Sequence, residues 1–211
     1  MSKLNAVLKK IYIWLYTLTY YISAVPLKFF DIRHGTEFGG IDFKGDRGGR
    51  FAYYPSSVFT FPLLRRYIKR HMNGGKGHSV LDIGCGKGLI LYFFSSLDFD
   101  LVSGIEYNGK LCRIAKRNLR KVSRPAKVYQ ADAVDFTMYE NYDTFYLYNP
   151  FDEAIVEKCT DRIMSSLERR PRKLTVIYCN PVCGDSLKRK GFKEEGHFYY
   201  KTSIFVFHGE K

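Results

Sequence analysis

The chain has no C-x-x-C pair. Its five cysteines, Cys85, Cys112, Cys159, Cys179 and Cys183, are odd in number and scattered, which argues against a disulfide framework and against a zinc site. Small thiols in a reducing cytosol are the expectation. Internal repeats and low-complexity runs are absent, and the composition excludes a mainly disordered chain, a collagen-like repeat and a multi-pass membrane protein. There is no G-x-x-x-x-G-K-[ST] phosphate loop. Nor is there a clean run of about 20 apolar residues of the kind a membrane span needs. The longest uncharged stretch, Ile11 to Leu27, is short and carries Tyr12, Tyr16, Thr17, Thr19, Tyr20, Tyr21 and Ser23. Acidic residues are also scarce: 34 Lys and Arg face 21 Asp and Glu, a formal +13 that favours an anionic partner such as RNA, acidic lipid or a phosphorylated substrate.

What is present is enough for one compact domain with an N-terminal appendage. Hydrophobic residues make up 45% of the 211, within the globular range, and aromatics at 17% supply bulk for a core. The first 75 residues hold twelve basic and four acidic side chains, so the charge asymmetry lies at the N-terminus. The sequence divides into residues 1–30, an amphipathic helix; residues 31–75, a loop and helix; and residues 76–211, an α/β domain.

In the first part, Leu4, Leu8, Ile11, Leu15, Leu18, Ile22 and Val25 recur every three or four residues, the spacing of one helical face. Pro26 is expected to end that helix. A signal peptide would fit the basic start and the small residues at Ser23 and Ala24. An amphipathic helix fits the periodicity better. Residues 3–25 suit a membrane interface, packing on the chain's own domain, or dimerisation. The second part begins with the glycine-rich stretch 34–50, read as a loop. Tyr53-Tyr54-Pro55-Ser56-Ser57 then leads into a helix over Val58–Met72, with Ser56 or Ser57 as a plausible N-cap.

From Ser79 onward strands and helices alternate. Strands are expected at 79–83, 101–106, 126–130, 144–148 and 174–179, with helices between them and an antiparallel pair, 192–198 and 202–207, at the end. Single helices between strands imply a mostly parallel Rossmann-like sheet, seven-stranded, with an antiparallel C-terminal strand and helices on both faces.

The chemistry concentrates at Asp82-Ile83-Gly84-Cys85-Gly86-Lys87-Gly88, where an apolar strand meets a glycine-rich turn and a helix. Ligands of open parallel sheets bind beyond the carboxyl ends of the strands, so this turn lies on the binding edge. The spacing G-x-G-x-G differs from the dinucleotide pattern G-x-G-x-x-G. Asp82 would also oppose a pyrophosphate and suits a cationic ligand group such as an amine or a sulfonium. Glu106 stands at the end of the next strand, where an acid can accept from both ribose hydroxyls. Ala131, Asp132 and Ala133 follow the third strand, and Asn149-Pro150-Phe151 the fourth.

This ensemble resembles the class I S-adenosylmethionine-dependent methyltransferases, through DIGCGKG at 82–88, IEYN at 105–108, ADA at 131–133 and NPF at 149–151. The resemblance implies S-adenosylmethionine as cofactor and S-adenosylhomocysteine as product. It implies contacts from Ile83, Gly84, Cys85, Gly86 and Gly88 to the methionine part, with Asp82 on the ammonium. Glu106 would take the ribose hydroxyls and Tyr107 the adenine face. Asp132 and the Ala133 amide would meet the adenine edge, unless Asp132 is a helix N-cap. The phrases DIRHGTE at 31–37 and YYPSS at 53–57 look like a bacterial subfamily of this class, and related upstream loops fold over the cofactor in lysine methyltransferases of the histone type, so the resemblance implies that Tyr54, Ser56 and Ser57 help form a lid. Asn149 sits where N-methyltransferases of the class orient a target amine, so Asn149 and Tyr54 are the candidate catalytic residues. This sequence has one proline there where those enzymes have two, and a simple turn with Phe151 in the core is the competing reading.

The acceptor is left open among a protein amine, a small molecule and RNA. The basic run Lys110, Arg113, Lys116, Arg117, Arg120, Lys121, Arg124 and Lys127 fits phosphates, anionic lipid or a solvated outer face. A non-catalytic S-adenosylmethionine-binding module recruited to an anionic surface is the alternative to an enzyme. The expected location is the cytoplasm, with peripheral contact to the inner membrane face.

Overall fold

A computed structural model describes residue 18, residues 21–42, residue 51, residues 53–198 and residues 202–209. The expected helical stretch before residue 18, the glycine-rich 43–50 and the final hairpin's turn at 199–201 lie outside these.

Seven strands form one sheet in the order β3-β2-β1-β4-β5-β7-β6. They are β1 (Ser79–Ile83), β2 (Leu101–Glu106), β3 (Lys127–Gln130), β4 (Thr144–Tyr148), β5 (Leu174–Cys179), β6 (Lys193–Phe198) and β7 (Thr202–Phe207). The first five pair in parallel, and β7 inserts antiparallel between β5 and β6. The chain builds outward from β1 through β2 to β3, then returns to place β4 on the other side of β1. That reversal opens a crevice at the carboxyl ends of β1 and β4.

Side chains alternate across the sheet. Leu81, Ile83, Phe145, Leu147, Val176 and Tyr178 pack with α5 (Glu153–Arg169) and α6 (Gly184–Arg189). Val80, Val102, Val128, Tyr146 and Ile177 pack on the other face with α2 (Phe61–His71), α3 (Leu89–Phe94) and α4 (Gly109–Lys121). The face opposite the core of α4 carries its arginines and lysines, and Asn108 caps it by accepting from the Lys110 and Leu111 amides.

Two expectations fail. The helix α1, described over 21–34, runs straight through Pro26. Proline removes one backbone donor and crowds the preceding turn. Tertiary contacts downstream outweigh this: Leu27 is buried with Phe38 and Leu89, and Phe30 packs beside them. The helix ends instead at Gly35, whose φ of 62° lets the Thr36 amide bond back to the Asp31 carbonyl at 3.0 Å, a Schellman-type stop. Nor does a serine cap the second helix. A short 3-10 turn over Val58–Thr60 precedes α2, and the Ser57 side chain makes no capping bond.

Candidate active site

A cavity of about 530 Å³ lies beyond the carboxyl ends of β1, β2 and β4, a volume suited to a cofactor-sized molecule. Its floor comes from the turn after β1. The Gly84 and Cys85 amides both bond to the Ile105 carbonyl at 2.9 Å, which stitches that turn to β2. Gly86 has φ 52°, and a Cβ placed there would come within 2.2 Å of the Tyr53 ring. Only glycine allows the aromatic to rest on this turn.

The two expected carboxylates meet here. Glu106 accepts the Gly86 amide at 2.9 Å and the Asn108 amide at 2.8 Å, so both of its oxygens are fixed by backbone donors while the group still faces the cavity. Burial raises its proton affinity, and those amide donors oppose the rise. Asp82 is 3% exposed and lines the same cavity, and among the described residues no donor bonds its carboxylate. Burial, and then the neighbouring Glu106 charge, push its carboxyl well above the ordinary range. A buried acceptor without a donor is costly unless a ligand completes it, and an ammonium group would do so. The site therefore fits the cationic amino-acid end and the ribose of S-adenosylmethionine.

The roof is non-local in sequence. The Phe51 amide donates to the Pro150 carbonyl at 3.0 Å, joining the upstream segment to the end of β4. Tyr53 donates through its hydroxyl to the Phe38 carbonyl at 2.7 Å and pairs by backbone with Asp42. Ser56 Oγ lies 3.1 Å from the Tyr146 hydroxyl, which donates to Cys179 Sγ at 3.2 Å. Burial holds the Tyr146 hydroxyl firmly protonated. Lys87 fastens the assembly from below. It is 5% exposed, donates to the Gly39 carbonyl at 2.9 Å and to Glu37 at 3.3 Å, and lies over the Tyr53 ring.

Residues 63–175, just over half the chain, match the family model of the methyltransferase small domain. The chain belongs to that family. Its sheet is that of the class I S-adenosylmethionine-dependent methyltransferases. It is similar to the ribosomal protein L11 methyltransferase of Dictyoglomus turgidum, with 27% identity over 90 residues, 43% of this chain and 28% of that protein. The enzyme of the same name from Dictyoglomus thermophilum is 24% identical over 143 residues, 67% of this chain and 43% of the relative. The chain thus spans well under two thirds of the relatives it matches. Magnesium protoporphyrin IX methyltransferase from Synechocystis, solved with bound S-adenosylmethionine, shares the fold with a TM-score of 0.52 at 16% identity over 72% of this chain and 79% of that one.

In this methyltransferase domain Tyr54, Ser56, Asp82, Gly84, Cys85, Glu106, Tyr107 and Ala133 all line the cavity. Tyr107 is 59% exposed at the cavity wall. Six other expected residues stand behind the wall. Ile83 is core, Gly86 supports Glu106, and Gly88, at φ 86°, starts α3 against Ala115. Ser57 is buried with its hydroxyl unpartnered, and its carbonyl accepts from the Thr60 hydroxyl. Asp132 accepts the Val134 amide at 3.1 Å, so it closes a turn rather than capping a helix. Asn149 adopts φ 38° after β4, and its Oδ1 lies 3.5 Å from the Tyr178 hydroxyl.

Sequence reasoning missed Phe51, Tyr146, Tyr148 and Gln130 as lining residues. The alternation of β4 carried a signal for two of them, since Tyr146 and Tyr148 share the parity that faces away from α5. Among the described residues no cluster of His, Cys, Asp and Glu is arranged to hold a metal ion, and all five cysteines are buried with no disulfide between them.

Proposed function

We propose that this chain transfers the methyl group of S-adenosylmethionine to a nitrogen of an amine acceptor. The observation that carries the reading is the pair of buried carboxylates, Asp82 without a partner and Glu106 fixed by two amides, under a glycine turn that an aromatic lid covers. S-adenosylmethionine would supply an electrophilic methyl on a sulfonium. The nitrogen lone pair forms the new N–C bond as the C–S bond breaks, giving S-adenosylhomocysteine, and the methylated nitrogen sheds one proton.

Among the described residues the lining has no lysine, arginine or histidine. Both carboxylates are engaged in binding, so the rate enhancement rests on holding donor and acceptor in line in a dry cavity. The acceptor nitrogen would enter between Tyr54 and the turn 149–151. There the Pro150 segment would accept its hydrogens and Phe151 pack beside it, with the Asn149 side-chain oxygen turning from the Tyr178 hydroxyl toward the nitrogen as the acceptor binds. Asn149's left-handed backbone supports this reading, because strain at a cavity rim is commonly kept for function. The resemblance to methyltransferases that act on a ribosomal protein favours a protein amine over RNA or a small molecule.

The test is methyl-labelled S-adenosylmethionine incubated with the chain and with separated protein, RNA and small-molecule fractions of a lysate. Label in the protein fraction, lost in Asn149→Ala while cofactor binding persists, supports the reading. Label in another fraction reassigns the acceptor. Cofactor binding without turnover in any fraction favours a non-catalytic module.

A further inference from the structure

One face of α1 is covered by the domain and the opposite face is bare. Ser23 and Leu27 are buried, and Phe30 is tucked against Tyr92 with ring centroids 5.2 Å apart. At about 100° of rotation per residue, Leu18, Ile22, Val25, Phe29 and Ile32 fall in a stripe about 80° wide, on the side away from Leu27. They are 41%, 49%, 54%, 69% and 70% exposed. A folded domain seldom leaves five large apolar side chains in one continuous row. The sequence carries the same four-three alternation upstream through Leu15, Ile11 and Leu8.

Charge indicates what covers the row. Residues 1–30 contain four lysines and no acidic residue. Lys28 and Arg33, both exposed, border the stripe on its two sides. The first acid, Asp31, is turned inward and accepts from Thr36 Oγ1 at 2.7 Å and from the Phe38 and Gly39 amides at 2.9 and 2.8 Å. Glu37 is tied to Arg117 and Lys87. Lys121 donates to the Gly35 carbonyl, which sets the basic helix α4 beside the end of α1 with Arg113, Lys116 and Arg120 exposed.

We propose that α1 lays its bare stripe into the headgroup region of a bilayer containing anionic lipid, with Lys28, Arg33 and the basic face of α4 meeting lipid phosphates. Apolar residues would enter the acyl boundary while the bordering cations reach outward to the headgroups. The rest of the domain stays behind the helix in water. No helix among the described residues is long and apolar enough to cross a membrane, so this is contact along a surface. A second copy of the chain is the competing occupant, because four-three spacing also suits a coiled coil. Such pairs usually set opposite charges along the seam, and here Lys28 and Arg33 would set cation against cation in either orientation.

The experiment is co-sedimentation of the full chain with vesicles of phosphatidylcholine alone and with about one third phosphatidylglycerol. Sedimentation velocity without lipid runs in parallel. The expected result is binding to the anionic vesicles, weaker on the neutral ones. It should fall at least about tenfold in the double variant Phe29→Glu, Ile32→Glu, since each apolar side chain withdrawn from the lipid costs more than a factor of three. Both residues are exposed, and an unchanged melting temperature checks that the variant folds. Absence of vesicle binding, or equal binding by the double variant, overturns the proposal. A lipid-free dimer that the double variant dissociates, without vesicle binding, assigns the stripe to a second copy instead.

Discussion

Asp82 and Glu106 show how a ligand site is prepared at a cost to the free protein. An acid whose folded pKa is raised binds its proton more tightly folded than unfolded. Stability then falls as pH climbs from the ordinary carboxylate range through the raised value. For Asp82 burial is the main cause and Glu106 the second. Asp82→Asn removes the charge and keeps the shape, so the free variant should melt higher above the ordinary carboxylate range, by a margin that vanishes in acid. The same change should weaken S-adenosylmethionine binding about 10- to 100-fold, the worth of a charge-assisted bond. Calorimetry in buffers of different ionisation enthalpy should find proton release on binding in the wild type and less in the variant. Gly86→Ala isolates the other requirement. Its Cβ would collide with the Tyr53 ring, whereas a Cβ at Gly77, also at positive φ, meets nothing within 4 Å. Gly77→Ala should cost about 1 kcal/mol of stability and leave binding unchanged. Gly86→Ala should cost more and lower affinity at least about tenfold as the lid ring is displaced. Both carboxylates and Gly86 were legible because each sits in a short local motif. Phe51 was not, because its place follows from one backbone bond to a residue a hundred positions away.

At the scale of elements, the upstream segment is held by a few polar contacts that converge on Lys87. Its ammonium bridges Gly39 and Glu37, and its carbonyl accepts from Asn118, whose own oxygen takes the Glu37 amide at 3.0 Å. Lys87 itself belongs to the turn that forms the cavity floor. Lys87→Met should therefore destabilise the chain by about 1–3 kcal/mol, because the carbonyl and the carboxylate lose a buried donor. It should also raise the dissociation constant for cofactor as the lid loosens. Glu37→Gln tests the exposed arm, and since the Glu37 side chain is about half exposed it should cost no more than about 1 kcal/mol. Denaturant melts and cofactor titrations of both variants check the ranking. Strands were legible to within a residue or two because runs such as Leu174–Cys179 are short, apolar and bounded by turns. The stop of α1 was misread. Proline is a strong local signal, but Leu27 and Phe30 are anchored by residues distant in sequence, and Gly35, the actual stop, reads equally well as part of a loop.

For the whole molecule, alternation of strands and helices implied a parallel sheet, yet no local pattern dictates that β7 inserts between β5 and β6. That choice follows from burial. β7 reads Thr-Ser-Ile-Phe-Val-Phe and is buried along nearly its whole length, whereas β6 reads Lys-Glu-Glu-Gly-His-Phe and serves as the charged edge. The resulting sheet carries the cavity on its switch point, with residues 51 and 53–56 resting on the ends of β1 and β4 together, so a ligand there couples to the folding of the entire domain. A molecule that binds only the native state adds RT ln(1 + [L]/Kd), about 2.7 kcal/mol at a hundredfold excess over Kd. In a domain of this size that amounts to a rise of about 5–10 °C in melting temperature. S-adenosylhomocysteine should produce such a shift, rising with the logarithm of its concentration, while adenosine triphosphate, whose phosphates would meet Asp82, should not. Glu106→Ala should abolish the shift. Because this variant also strands the Gly86 and Asn108 amides, Glu106→Gln is the necessary companion: it retains an acceptor for one amide, should fold, and should keep only part of the shift. If neither variant alters the shift, the ligand sits elsewhere and the assignment of this cavity fails. If Glu106→Ala abolishes it and Glu106→Gln keeps only part while each still folds, the carboxylate at the end of β2 is an anchor of the cofactor.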